Sequence, residues 1–166
     1  MPLADTFIRE LELEAKTTRR VLERVPEDKL TWKPHAKSMS LGRLAQHVAS
    51  IPCFISGIAR LDSYDVEKFS EPPALESTAA ILAAFDESVA QAKANLAATD
   101  DAAMMQNWSF NMGGKPIMTV PRIGVYRSIL LNHLYHHRGQ LTVYLRLLDV
   151  PVPSIYGPSA DENPFA

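Results

Sequence analysis

Apolar side chains recur at Phe7, Leu11, Ala15, Leu22 and Val25, with Thr18 in register, which is the spacing of one helical face over residues 4–25. Pro26 ends that helix, and a polar connector containing Trp32 and Pro34 follows. Ser40 is placed to cap a second helix reaching about residue 61, whose inward face reads Leu44, His47, Val48, Ile51, Ile55 and Ile58. Pro52 lies inside it and removes one backbone donor, which predicts a kink. After a proline-containing link at 70–73, a third helix over 77–98 presents Ile81, Phe85, Val89, Ala92 and Leu96. Residues 100–124 break the rhythm. Trp108, Phe110 and Met112 alternate before Gly113-Gly114, so this stretch reads as a long functional loop with an irregular or hairpin-like excursion. A fourth helix, 121–149, turns Val125, Ile129, His133, His137, Leu141, Tyr144 and Leu148 inward, and 150–166 is a proline-rich tail.

Four amphipathic helices without a convincing run of strands predict an all-α fold, a four-helix bundle with a long irregular loop before the last helix and a coil tail. The 166 residues fit one domain, 1–166, because cores usually divide only beyond roughly 250 residues. Apolar residues at 46% and charged residues at 22% match a folded globular chain. A net charge of -2 with no dense Lys/Arg cluster argues against a nucleic-acid partner. No apolar run approaches the ~20 residues of a membrane span, and Asp5 sits where a signal peptide would be basic then apolar, so the expectation is a cytoplasmic protein with no membrane partner. The single cysteine, Cys53, excludes an internal disulfide and paired-thiol redox chemistry.

The chemistry concentrates in histidines. His133 and His137 are four residues apart, about 40° from each other around a helix, with Cβ atoms about 5–6 Å apart. That separation lets two imidazoles share one cation. His136 is about 100° from His137 and less favourably placed, though not excluded. His47 occupies an inward position on the second helix, so three imidazoles from two helices can converge and leave coordination positions open, the pattern of a catalytic rather than a closed structural site. Against this stands the plainer reading of core histidines satisfied by hydrogen bonds, since a buried unpartnered imidazole costs about 1–3 kcal/mol. Cys53 lies on another face of its helix and reads as packing.

The His-Glu-x-x-His template is missing because Leu134 follows His133, and no inward Glu-x-x-His pairs suggest a di-iron site. His35 reads as solvated. Trp32, Trp108 and Tyr144 read as core or cleft lining, and the charges of residues 9–20 as a wet face with i,i+4 pairs. Gln140, three steps from His137, either orients that ligand or points to solvent. Asn132 and Arg138, about 100° off the ligand face, read as polar side chains turned to solvent, and 108–118 as a candidate lid.

The segments Trp32-Lys33-Pro34, Ser38 to His47 and His133 to Leu141, together with the tail from Pro151 to Asp161, resemble the DinB-like family of damage-inducible metalloenzymes. The resemblance covers most of the chain in order, though 61–96 adds little beyond helical pattern. It implies a four-helix bundle, often a homodimer, with His47, His133 and His137 holding a divalent ion such as zinc or nickel. The wider superfamily contains thiol-dependent transferases and isomerases, an analogy at the level of fold.

The leading expectation is therefore a metal-dependent transferase whose small-molecule cosubstrate is a low-molecular-weight thiol activated as the thiolate. The same vacancy would serve a hydrolase using metal-bound hydroxide. A third reading is a non-catalytic, stress-induced protein stabilised by its metal.

Overall fold

In the computed structural model, which describes residues 1–165, helix ends fall where the chain supplies a cap. Helix α1 runs over Leu3–Leu22, and its first N–H donates to Asp101 Oδ1 at 2.7 Å. Helix α2, Leu41–Ile58, begins with the Arg43 N–H donating to Ser40 Oγ at 3.3 Å, and α3, Thr78–Ala97, with the Ala80 N–H donating to Ser77 Oγ at 3.1 Å. These caps satisfy donors that the helical ladder leaves free. The short α4, Asp101–Met105, is capped by Asp100. A last helical run is built from α5, Arg122–Gly124, a π-helical segment, Val125–Leu131, and α6, Asn132–Leu147.

Helix α2 packs on α3 and α6, and α1 packs on the same two. Leu11, Leu22, Leu44, Val48, Phe85, Leu134, Leu141 and Leu145 are buried between them. Each such side chain contributes about 1.5–3 kcal/mol of transfer free energy. The helix continues through Pro52, and the next N–H, that of Cys53, reaches Ser88 Oγ on α3 at 2.9 Å.

The all-α four-helix-bundle expectation is corrected here, because the fold is mixed. Strands β1, Ser63–Asp65, β2, Asn107–Met112, and β3, Lys115–Pro121, form one sheet in the order β1-β2-β3. β1 lies parallel to β2, and β2 antiparallel to β3 with a register shift at Phe110/Asn111. Gly113 and Gly114 close the hairpin with φ of 57° and 76°, values that glycine adopts at little cost and that match the primed two-residue turn. The alternation at Trp108, Phe110 and Met112 was thus a strand. β1 escaped notice because three residues carry no periodicity and its partner lies more than forty residues away.

The sheet is anchored at the end of α2. Buried Trp108 donates from Nε1 to the Ile58 carbonyl at 3.1 Å. The buried Arg122 guanidinium donates to the carbonyls of Ala59 at 2.6 Å, Leu61 at 3.1 Å and Ala103 at 2.5 Å. One side chain thereby takes up carbonyls at the end of α2 and adds a second donor to the Ala103 carbonyl, which also accepts the Gln106 N–H at 3.2 Å. Among the described residues, no helix is long and apolar enough to cross a membrane.

Candidate metal centre

His47 projects from the second turn of α2, and His133 and His137 from successive turns of α6, where these helices pack. Their rings meet edge to face, with centroids 5.1 Å apart for His47–His133 and 4.5 Å for each of the other two pairs. Nε2 of His133 lies 3.3 Å from Nε2 of His47 and 2.8 Å from that of His137. One ligand atom from each residue falls within 4.8 Å of the others. A tetrahedral cation with bonds of ~2.0–2.1 Å to nitrogen spaces its ligands ~3.3 Å apart, close to the His47–His133 separation.

Burial lowers the His47 imidazole to about 4, and the neighbouring His137 pushes in the same direction. His133 is likewise lowered to about 4, chiefly by burial and then by His137, His47 and His136, against an opposing pull from the Ile129 carbonyl. His137 is lowered by burial, although its contact with Gln140 opposes the shift. All three rings are accordingly neutral near pH 7, the form in which imidazole ligates metals.

Gln140 Oε1 stands 2.8 Å from His137 Nδ1. That acceptor places the His137 ring proton on Nδ1 and leaves the Nε2 lone pair facing the cluster, the usual support for a ligating histidine. With no carboxylate among them, the rings cannot complete their hydrogen bonding internally: three Nε2 atoms face one another, and His133 Nδ1 is buried without a partner in hydrogen-bond geometry. A divalent cation accepts all three lone pairs at once. The residues present fit such an ion.

The other sequence-selected residues fall elsewhere. His136 is exposed outside the triad, its ring centroid 4.8 Å from that of His137, and His35 is exposed with Nδ1 accepting the Lys37 N–H. Cys53 is half-buried and takes no part in the cluster. Trp108 is core. Trp32 and Tyr144 pack edge to face at 5.7 Å. Charges on α1 form one i,i+4 pair, Arg19–Glu23, and they also tie α1 to α3 through Arg19–Asp86 and Lys93–Glu12.

Arg138 corrects the surface reading. It is buried, donating to Glu14 Oε2 at 2.6 Å, Thr18 Oγ1 at 3.1 Å and Tyr156 Oη at 2.6 Å, with the Tyr135 and Tyr156 rings at 5.4 and 5.1 Å. Its position about 100° from the ligand face, which suggested solvent, points instead toward α1 and the tail. The contact fixes the rotation of α6 beside His137.

A cleft of about 470 Å³ opens beside the triad, with His47 and His133 in its wall together with Ile51, Phe54 and Tyr64. Residues 69–72 line it as well, and this segment and its continuation to Leu75 are held by side chains of α2 that the residue pattern did not single out. Gln46 donates to the Pro73 carbonyl at 2.7 Å and accepts the Leu75 N–H at 3.1 Å, while Arg43 donates to the Pro72 carbonyl at 2.8 Å. Both lie in the Ser38 to His47 segment and within about a turn of His47, but neither fact shows which distant backbone they reach. The lid expected at 108–118 is also corrected: that hairpin is paired into the sheet, and none of its residues lines the cleft.

The fold and sequence are similar to those of known proteins. The chain is 27% identical over 159 residues to the uncharacterized protein YrdA of Bacillus subtilis (strain 168), covering 95% of this chain and 90% of that one. Its fold is similar to the crystal structure of a DinB-like protein from Bacillus cereus ATCC 10987, with a TM-score of 0.70, 20% identity, and 93% and 98% of the two chains covered. It is similar as well to the DinB-like protein YjoA of Bacillus subtilis, with a TM-score of 0.71, 15% identity, and 91% and 96% covered. The sequence itself matches the DinB family across residues 1–164, so the chain belongs to the DinB family.

Proposed function

We propose that His47, His133 and His137 hold a divalent cation, zinc or nickel, and that the protein is a transferase activating a low-molecular-weight thiol in the adjoining cleft. The observation that carries the reading is the convergence of three neutral imidazole Nε2 atoms on the wall of a ligand-sized cleft. Bound there, a divalent cation supplies Lewis acidity, lowering the pKa of a thiol or water beside it.

The chain's own residues favour the thiol over water. Among the described residues, Glu71 is the only carboxylate lining the cleft, and it is paired with Arg43 at 2.9 Å. No free general base is therefore at hand. A thiol with a pKa of about 8.5 needs far less help to ionise than water at about 15.7. The S–H proton leaves to solvent, the sulfur electron pair forms the new bond to an electrophilic carbon, and the leaving group departs with its bonding pair. Ile51 and Phe54 limit water beside His47, and Gln46 holds residues 73–75 in place.

Elemental analysis of protein purified without a histidine tag tests the first half. Cation is expected in stoichiometric amount in the natural protein and absent from His47→Ala and His137→Ala. Thiol consumption with an electrophile, compared with ester turnover in the absence of thiol, tests the second. Cation-dependent ester hydrolysis with no thiol requirement would reject the transferase.

A further inference from the structure

The cleft has walls of two characters. One is aromatic: Phe54 meets Tyr64 edge to face at 5.6 Å and Phe69 at 5.4 Å, and all three line the cavity. Phe69 keeps 49% of its surface open to solvent, an apolar face that a bound ring would cover. The other is cationic. Arg43 is already matched by Glu71, whereas Lys68, also at the cleft, forms no ion pair among the described residues. The histidine rings bring no negative charge, so the lining carries one cation more than it balances. Lys68 lies near enough to Asp65 to help lower that carboxyl's pKa but forms no ion pair with it, so a negatively charged group on a ligand meets Lys68 without breaking a salt bridge.

We infer that the cleft binds a small aromatic anion, its ring against Phe54, Tyr64 and Phe69 and its acidic group toward Lys68. The inference deepens the transferase reading and rests on it for which end of the ligand reacts, near His47 and His133, but not for binding itself. A volume of about 470 Å³ lies within the ~300–1,000 Å³ range of small-molecule sites and accommodates a substituted ring with a second small reactant. Ring packing of the edge-to-face kind adds to simple burial, and a lysine without an ion pair at the rim adds selectivity for charge.

Titration calorimetry with hydrocinnamate, its amide and propionate, on the full chain freed of cation and again loaded with zinc, tests this. In the cation-free protein hydrocinnamate is expected to bind more tightly than either of the other two. Lys68→Gln should reduce the preference for hydrocinnamate over its amide by about threefold, the scale of a partly exposed ion pair. Phe69→Ser should weaken both ring-bearing probes by about fivefold and leave propionate unchanged. Both positions are exposed, so folding of the variants is checked directly by circular dichroism. Equal binding of hydrocinnamate and its amide, equal binding of hydrocinnamate and propionate, or an unchanged preference in folded Lys68→Gln overturns the inference. Zinc uptake, measured separately, keeps the two readings apart. Uptake without aromatic-anion binding sinks only this inference, and aromatic-anion binding without uptake sinks only the metal centre.

Discussion

Gln140 reaches a single atom of the histidine cluster, yet that atom decides which nitrogen of His137 faces its neighbours. Gln140→Leu removes the acceptor and frees the ring to rotate or change tautomer. Affinity for zinc should drop about 10–100-fold, the usual cost of losing such support, as read by competition with a chromophoric chelator. The same rings set an acid limit for cation-free protein. His47 and His133 titrate near 4 in the folded chain against an ordinary 6.5, so between those values the unfolded chain binds more protons. The stability associated with keeping them neutral is fully present above pH 6.5 and is lost as pH falls toward 4. Equilibrium denaturation of chelated protein at stepped pH should show the midpoint falling through that window. A His47→Leu/His133→Leu variant should show a flatter profile.

Among the elements, α6 carries His133 and His137 on one side and the buried Arg138 guanidinium on another. Arg138→Leu leaves Glu14 facing a low-dielectric gap with Tyr156 as its remaining partner. Removing one member of a buried pair costs about 3–5 kcal/mol, and chemical denaturation should show a loss of that order. The hairpin gives a smaller effect. Gly114→Val puts a β-branched residue at φ 76° and should cost about 1–2 kcal/mol.

These elements also show what could be read from the chain. The four long helices follow from their apolar period, and His47, His133 and His137 stood out as imidazoles on faces that must turn inward. Helical spacing could pair His133 with His137 because one helix fixes both. Arg138 was misread because a wheel gives its angle but not which neighbour waits there. Arg43 and Gln46 act through a segment without periodicity, and β1 depends on pairing with a distant strand. In each case the missing information was a contact between parts far apart in the chain.

At the scale of the whole molecule, the tail is bound rather than loose. Tyr156 donates to Glu14, Asp161 pairs with Arg146, and Glu162 accepts from Arg20 at 2.5 Å. The buried core supports α1, α2, α3 and the last helical run as one packed body. A cation bound only by the folded state adds stability by mass action, about 4 kcal/mol at a thousandfold excess over its dissociation constant. Zinc should therefore raise the thermal midpoint of the natural protein and leave that of His47→Ala in place, as scanning calorimetry can record.

His47 and His133 are 86 residues apart in sequence, yet their ring nitrogens are 3.3 Å apart. An ion gripped by both would act as a removable cross-link that ties α2 to α6 across a long loop of the folded chain. Loosening the packing of α2 on α6 should spread the three rings, so exchange of a bound ion for an isotope is expected to quicken in variants that weaken that packing.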